Sequence, residues 1–403
     1  MNFKFAVIGS SIAGSACANV LSKLGFEVTI FEKSAINSFS DRGAGIWLPY
    51  ELVNKLMHQE IIAKNVIGLE INERPIIHYN FLTNNEHLIA SHPIKGYALH
   101  WQQVYNALKN RKLEDKINYD AELTKVVNLD RDKVGIVINN QQSYEFDFCI
   151  FCDGINSFGR KYLYPEYRAN FVNTIIWRGT LEINNSRMVE KFLGKAPFYV
   201  FERGHLLIYL VPNLSDNSQQ YKYIINWLIY EKVDLNHKLF KHDTDMARQN
   251  IIKGHMPELY LDYLHTNVRK WFSKDISDLI INTQAPYTQA VNELLIPSYI
   301  KDNLLLVGDS SNIVRPHTAA GATKALSDAL ALETQITQNK NIDLAFRNWN
   351  NRQYSSGRNL YYLGQELGRL FVTDSPNWQN TTKQEIDKLW YEKSINCWYA
   401  KID

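Results

Sequence analysis

The stretch VIGSSIAG, residues 7–14, limits what this chain can become more than any other segment. Phe5-Ala6-Val7-Ile8 is a short apolar run of the kind that forms a buried parallel strand. Gly9 follows where the backbone must turn sharply. Ser11 is small enough for a phosphate to approach, and Gly14 lets a helix pack against the strand. Ala13, Cys17, Val20, Leu21 and Leu24 recur at helical spacing, Gly25 ends that helix, and Phe26–Phe31 reads as a second strand. Glu32 closes it, eighteen residues after Gly14 by subtraction (32 − 14). A carboxylate there commonly holds a ribose hydroxyl, while the free amides of the helix start take a pyrophosphate. The rival reading is a secretory leader, with Lys4 as its basic end and Ala16-Cys17-Ala18 as a cleavage site. Gly9, Ser10, Ser11, Gly14 and Ser15 interrupt the apolar run. A translocated core gains nothing from those interruptions, whereas a phosphate-binding turn requires them.

At 403 residues, 45% of them hydrophobic, the chain is long enough for two domains with real cores. Its 44 basic and 42 acidic residues leave a formal charge of +2, which gives no reason to expect nucleic acid or an acidic membrane surface as partner. No run of about 18 apolar residues occurs, so no membrane-spanning helix is expected. Cys17, Cys149, Cys152 and Cys397 are the only cysteines. Cys149 and Cys152 form a C-x-x-C in what reads as a strand, Phe146–Cys152, where an offset of three sends the thiols to opposite faces. That predicts a reduced, structural pair and a cytoplasmic address. No histidine or cysteine cluster has metal-ligand spacing, so no metal site is expected.

Two further stretches carry chemistry. In FDFCIFCDGINSFGR, residues 146–160, an apolar strand runs into Asp153-Gly154, then Ser157 and Arg160. In NLLLVGDSSNIVRPHTAAGATKALSDAL, residues 303–330, the strand Leu304–Val307 ends on Gly308-Asp309. A loop with Arg315-Pro316-His317 follows, and a helix opens near Ala320. Ligands of open α/β sheets bind at such strand ends.

Taken in order, the glycine turn, the Asp-Gly stretch and the Gly-Asp stretch resemble the fingerprints of the flavoprotein aromatic hydroxylases, single-component FAD monooxygenases. Within them the chain is most similar to the 2,6-dihydroxypyridine hydroxylase-like group. RPHTAAGATKA at 315–325, WRG at 177–179, NWLIY at 226–230 and the late run Arg352, Gly357, Leu360, Gly364, Leu367-Gly368 carry that likeness, which spans about residues 3–372. Trp101 stands where many relatives have arginine, Ala319 and Thr323 where glycine and asparagine are common, and Asn312 where histidine is frequent.

The resemblance implies an α/β fold: a Rossmann-like FAD-binding domain, an inserted, mostly antiparallel β-sheet substrate domain, and C-terminal helices. The FAD domain is expected to be discontinuous, over residues 1–75, 96–168 and 286–375. Residues 76–95 and 169–285 are expected to form the substrate domain, and 376–403 a helical tail. A long helix is read over Leu344–Leu370, and a final one opens on the capping box Thr382 to Glu385. Trp390 and Trp398 offer that tail a docking face on the body or on a second copy in a homodimer.

The cofactor residues implied are Gly9, Ser11, Ile12, Ala13, Gly14, Glu32, Lys33, Arg42, Gly45, Trp101, Asp153, Gly308, Asp309, Pro316, Ala319, Ala320 and Gly321. Asp309 is expected to meet the ribityl hydroxyls, the helix near Ala320 the pyrimidine edge of the flavin, and Asp153 with Arg160 the loop around the pyrophosphate. NADH or NADPH is the implied hydride donor and O2 the co-substrate, acting through a flavin hydroperoxide on a small phenol- or hydroxypyridine-like substrate. His317 is the first candidate for a base, ahead of His205 and His100, and Arg315 for holding an anionic substrate or anchoring its loop. Trp177, Tyr209, Asn226 and Trp227 are candidates for the substrate pocket, the rival reading being plain core aromatics. Other readings remain: a monooxygenase of larger polycyclic or non-aromatic molecules such as antibiotics, and a non-catalytic flavin redox switch. A halogenase is disfavoured by the lack of a W-x-W-x-I-type segment.

Overall fold

The computed structural model describes residues 3–39, 44–63, 66, 68–109, 111–130, 133–214, 222–234, 237, 239 and 250–392. The first glycine-turn strand, Lys4–Ile8, lies inside a six-stranded sheet. From one edge the order is Ile300–Lys301, Leu304–Leu306, Phe148–Phe151, Lys4–Ile8, Glu27–Phe31, Ile117–Asn118, and only the first of these runs antiparallel to its neighbour. Ile8 is level with both Phe31 and Phe151, and Phe151 with Leu306. Four strands therefore end at one height, and the three motifs leave the sheet side by side. Unbroken apolar runs suit strands covered on both faces. Here they join one core with the helices Ile12–Lys23 and Gly321–Gln338 and with a small sheet of Leu123–Asp130, Lys133–Ile138 and Gln142–Phe146.

The strand read as Phe146–Cys152 is two strands. Phe146 ends the small sheet and Phe148 opens the central one, with Asp147 at the switch, accepting from Lys4 N at 2.7 Å. Cys152 lies past the strand end, so pleat alternation does not govern it. It sits against Cys17 instead, and Cys17, Cys149 and Cys152 are buried free thiols.

A nine-stranded sheet runs Asn312–Ile313, Tyr287–Leu295, Asn170–Ile183, Tyr223–Lys232, Gly204–Pro212, Phe198–Phe201, Leu69–Asn80, Asn85–His100, Gly45–Pro49. All its pairings are antiparallel except Phe198–Phe201 with Leu69–Asn80. Its strands overrun the segments 76–95 and 169–285 at both ends: Gly45–Pro49 and Tyr287–Leu295 belong to it. Period-2 alternation gives it two faces. One face, with Ile175, Trp177, Leu206, Ile208, Ile225, Trp227 and Ile229, packs under the helices Glu258–Trp271 and Lys274–Ile281. The other carries Ile176, Leu207, Tyr209, Leu228 and Tyr230 and looks toward the motif loops.

The late helix runs Ile342–Gly368 and continues as a π-helical turn, Arg369–Thr373. The Thr382 box forms, with Thr382 N donating to Glu385 at 2.8 Å. The helix Lys383–Glu392 docks within the chain: Trp390 stacks on buried His92 at 4.2 Å, and Asp387 pairs with the same ring at 3.0 Å. Trp398 lies outside the described residues. Among the described residues no helix is long and apolar enough to cross a membrane, and no group of three or more His, Cys, Asp or Glu is placed to hold a metal.

Trp177 is held by a buried acid on the helix-covered face: its Nε1 donates to Glu231 at 2.8 Å, and Tyr263 OH donates to the other oxygen. Trp177→Phe removes one of the two donors on that carboxylate and is expected to cost about 1–3 kcal/mol. Urea denaturation reads this, and ligand binding on the opposite face should be unchanged.

Candidate active site

The glycine turn is built by exclusion. Gly9 has φ +96°, and a Cβ there would lie 2.6 Å from the Cys152 carbonyl. Only glycine lets the first strand's turn close against the middle motif. Gly9 N donates to Phe31 O at 2.8 Å, and Cys152 N to Ile8 O at 2.8 Å. Glu32 is buried beneath the turn, accepting from Ser10 N at 2.8 Å, Ser10 Oγ at 3.0 Å and Ser34 N at 2.9 Å. It fixes the turn: Oε2 accepts both Ser10 donors, and Oε1, which accepts only from Ser34 N, keeps a lone pair for a further donor. Lys33 beside it is exposed.

The middle and late motifs are locked together by one side chain. Arg160 is 4% exposed and donates to the carbonyls of Ile155, Asp309 (2.9 Å) and Ser310 (3.0 Å). Among the described residues it forms no ion pair with a carboxylate at the surface. Asp153 Oδ2 accepts from Phe158 N at 2.6 Å and Gly159 N at 3.2 Å, while buried Oδ1 has no partner among the described residues. Desolvation raises the Asp153 pKa against these donors.

Gly308 has φ +69°, with Ala13 of the first helix and Ala325 of the helix Gly321–Gln338 within 3.4 Å of where its Cβ would be. Both of its peptide groups are claimed by a buried ion pair that sequence reading missed. Asp328 accepts from Gly308 N at 2.9 Å, Lys324 donates to Gly308 O at 3.2 Å, and the two side chains pair at 2.7 Å, each 2% exposed. An i,i+4 Lys–Asp pair reads in sequence as a solvated helix face. Its burial becomes visible only once the helix packs on Tyr299, whose ring lies 4.9 Å from Lys324 Nζ.

These contacts frame an open space. Asp309 is exposed, yet desolvation by the protein around it raises its pKa against the pull of Lys324 and Arg160. A carboxylate both accessible and closely surrounded stands in a cleft. Its Oδ1 is the one atom within 4.0 Å of where a Cβ on Gly321 would be. The helices Ile12–Lys23 and Gly321–Gln338 open toward this region, from Ser11 and Ala320, without a side-chain cap or an acidic residue in the first turn. Asn185 (3.0 Å to Arg187 N) and Asn341 (3.0 Å to Leu344 N) cap two other helices, and Tyr50–His58, Glu258–Trp271 and Lys274–Ile281, which lack a side-chain cap, each carry an acidic residue in the first turn. Uncapped N-termini with no acidic residue in their own first turn are suited to anions. Ala319, before the second of them, holds φ +49°.

The inner face of the nine-stranded sheet roofs this space, bound across its own strands at Gly45 and to the late-motif loop at Pro316. Gly45 N donates to Asn226 Oδ1 at 3.1 Å, with the Tyr209 ring against Gly45, and Tyr230 OH donates to Pro316 O at 3.3 Å. Asn226 Nδ2 is buried with no partner among the described residues. Trp101 stacks on Tyr105 at 5.2 Å, and its N–H meets Ala44 O at 3.1 Å. Arg42 lies outside the described residues.

Alternation separates the four pocket candidates: Tyr209 and Asn226 are on this face, Trp177 and Trp227 on the other, where Trp227 Nε1 donates to Thr283 at 2.9 Å. The two tryptophans are core. Arg315 is likewise not free for substrate. Its Nε pairs with buried Glu293 at 2.6 Å, it packs along Gly364 and Gly368, and Gln365 holds the other Glu293 oxygen at 3.1 Å. It anchors the loop. His317 is buried with neither ring nitrogen partnered among the described residues, 4.7 Å from the Tyr230 ring and 6.0 Å from His205. Burial, then His205 and Arg315, hold it well below the usual histidine pKa. His205 is pushed down to about 3 by burial and Arg74, and bonds the Phe371 backbone. His100 caps the helix Trp101–Leu108, accepting from Gln102 N at 3.3 Å.

Residues 7–50 match the model of the NAD(P)-binding Rossmann-like domain. The chain is 24% identical over 357 residues to 2,6-dihydroxypyridine 3-monooxygenase of Paenarthrobacter nicotinovorans, covering 88% of each. Over most of its length the chain is thus similar to flavoprotein aromatic hydroxylases. It is also 24% identical to 6-hydroxynicotinate 3-monooxygenase of Pseudomonas fluorescens, over 93% of this chain and 94% of that one. Its fold is that of 2,6-dihydroxypyridine-3-hydroxylase from Arthrobacter nicotinovorans (TM-score 0.79, 21% identity, 95% and 96% of the two chains). Klebsiella pneumoniae HpxO, solved with FAD and uric acid, superposes with TM-score 0.77 at 15% identity over 99% and 96%.

Two substitutions test the late motif. Lys324→Met leaves Asp328 buried without its cation and should cost about 3–5 kcal/mol in chemical denaturation. Ala319→Gly releases a left-handed alanine and should gain about 0.5–1 kcal/mol after glycine's greater entropy in the unfolded chain.

Proposed function

We propose that the chain is an FAD-dependent monooxygenase that uses NAD(P)H and O2 to hydroxylate a small aromatic or heteroaromatic ring of the phenol or hydroxypyridine kind. The observation that carries this is the convergence at one sheet edge of two uncapped helix starts, an accessible carboxylate and the His317 imidazole of the late loop, beneath a roof holding the Asn226 amide, neither of these last two fully partnered among the described residues. An FAD fits this donor set. Ser11, Ile12, Ala13 and Gly14 receive the pyrophosphate and Glu32 a ribose hydroxyl. Asp309 takes ribityl hydroxyls, and the amides from Ala320 and Gly321 face the electron-rich edge of the ring system. When bound, the flavin accepts hydride from NAD(P)H and activates O2.

The protein's own part is positioning, exclusion of water and proton handling. Tyr230 fixes the Pro316 carbonyl, and Arg315 with Glu293 fixes the rest of that loop, so His317 is held in place from two sides. An uncharged imidazole can accept a hydrogen bond at one nitrogen and donate from the other. His317 thus receives the ring hydroxyl of the substrate and sharpens its nucleophilic carbon, without placing a positive charge in a buried pocket. The NAD(P)H requirement and the three buried free thiols favour the cytoplasm as its place of work.

Purified protein should be yellow, and NADH or NADPH oxidation should rise with phenols or hydroxypyridines, giving a product one oxygen heavier. Asp309→Ala should weaken FAD binding about 10- to 100-fold. A protein that takes up no flavin on reconstitution, or whose oxidation no aromatic ring stimulates, would overturn the proposal.

A further inference from the structure

Among the described residues, the roof carries a cation with no carboxylate partner. Arg178 lies mid-strand in Asn170–Ile183, opposite Leu228 on one side and Tyr287 on the other. Alternation puts it on the inner face with Tyr209, Asn226 and Tyr230. Its Nη1 donates to the neutral Gln289 at 2.7 Å, its guanidinium lies 5.7 Å from the Tyr287 ring, and its buried Nε has no partner among the described residues. Among the described residues no carboxylate comes within 4.0 Å of it. Glu182 on the same face is engaged by Asn213 at 3.3 Å, and Glu293 by Arg315.

The contrast with its neighbours is informative. Arg315 is matched by a carboxylate and Arg160 by three carbonyls. A partly buried charge without a counter-ion is costly, and the cost is relieved when an anion arrives. Arg178, Thr180, Tyr287 and Gln289 are half-buried, while the same face around Leu207, Leu228 and Tyr230 is closed. The guanidinium therefore stands in an opening of an otherwise sealed sheet. Two residue pairs along the strand, Asn226 presents an Nδ2 without a partner among the described residues on the same surface. Donors on adjacent strands thus share one face of the roof, an arrangement suited to an oxyanion.

Resting on the monooxygenase reading above, we propose that Arg178 is the specificity-determining residue of the substrate pocket. The ring it accepts carries an anionic oxygen, as a carboxylate or an ionised hydroxyl, bound jointly by Arg178 and Asn226. His317, at the far end of the row through Tyr230, is left for the hydroxyl beside the carbon to be oxygenated.

The test is ligand binding to FAD-reconstituted protein by calorimetry, independent of turnover. One arm compares a hydroxypyridine carboxylate with the matching carboxamide. The other measures a dihydroxypyridine at about pH 6 and about pH 9, where a ring hydroxyl gains charge and a carboxylate does not. Wild type should favour the charged form by about tenfold or more in one arm, which also tells the two oxyanions apart. Arg178→Gln should abolish that preference, and Arg178→Lys should keep part of it, both at unchanged flavin content and melting temperature. A preference that survives in Arg178→Gln, or equal losses for charged and neutral rings, overturns the assignment and leaves the monooxygenase reading standing. Wild-type protein that binds no ring of either kind overturns both.

Discussion

The structure depends on one place where two backbones come too close for a side chain. Gly9 turns against the Cys152 carbonyl at a separation that excludes a Cβ, and from that contact the first and middle motifs share a wall. Register does the rest. Because Ile8, Phe31, Phe151 and Leu306 end level, each loop that follows opens onto the same edge. Arg160 then bonds the carbonyls of the late motif, and Lys324 with Asp328 fixes both peptide groups of Gly308. Charge is thus used inside this floor to hold backbone, while the surfaces that face the cleft are left with unfilled donors.

The roof divides its labour by pleat. Residues at even positions of Asn170–Ile183 look into the cleft and those at odd positions into a helix-covered core, so neighbours in sequence have unrelated tasks. Trp177 steadies a buried acid and Arg178, one residue on, faces the opposite way. The tie from Tyr230 to Pro316 fixes this roof to the floor's late loop, while Asn226 bonds Gly45 across the roof itself.

Much of this was legible in the chain. The glycine turn, the two apolar strands running into Asp153 and Asp309, and the helix after Gly321 are local patterns, and local patterns survive folding. The α/β class with an inserted antiparallel sheet followed from them and from the family resemblance. What could not be read was anything set by the third dimension. Face assignment failed for Trp177 and Trp227, because an apolar strand covered on both sides lacks the alternation that would reveal its register. Arg315 offered no hint that Glu293, from another strand, would claim it. Lys324 and Asp328 look like surface residues until their helix is packed. The single strand read through Asp147 shows the same limit: one residue diverted the chain between sheets without breaking its apolar run.

The strand orders of the two large sheets also bear on how the chain is made. The central sheet sets Phe148–Phe151 beside Leu304–Leu306, and the roof closes its edge with Asn312–Ile313. A polypeptide leaving the ribosome cannot finish either layer until three quarters of its length has emerged, since 304 is about 0.75 of 403. Until then an apolar strand has a bare hydrogen-bonding edge, open to association with other nascent chains. Assembly of this architecture is therefore a late, global event, and shielding of that edge during synthesis becomes a demand on the cell.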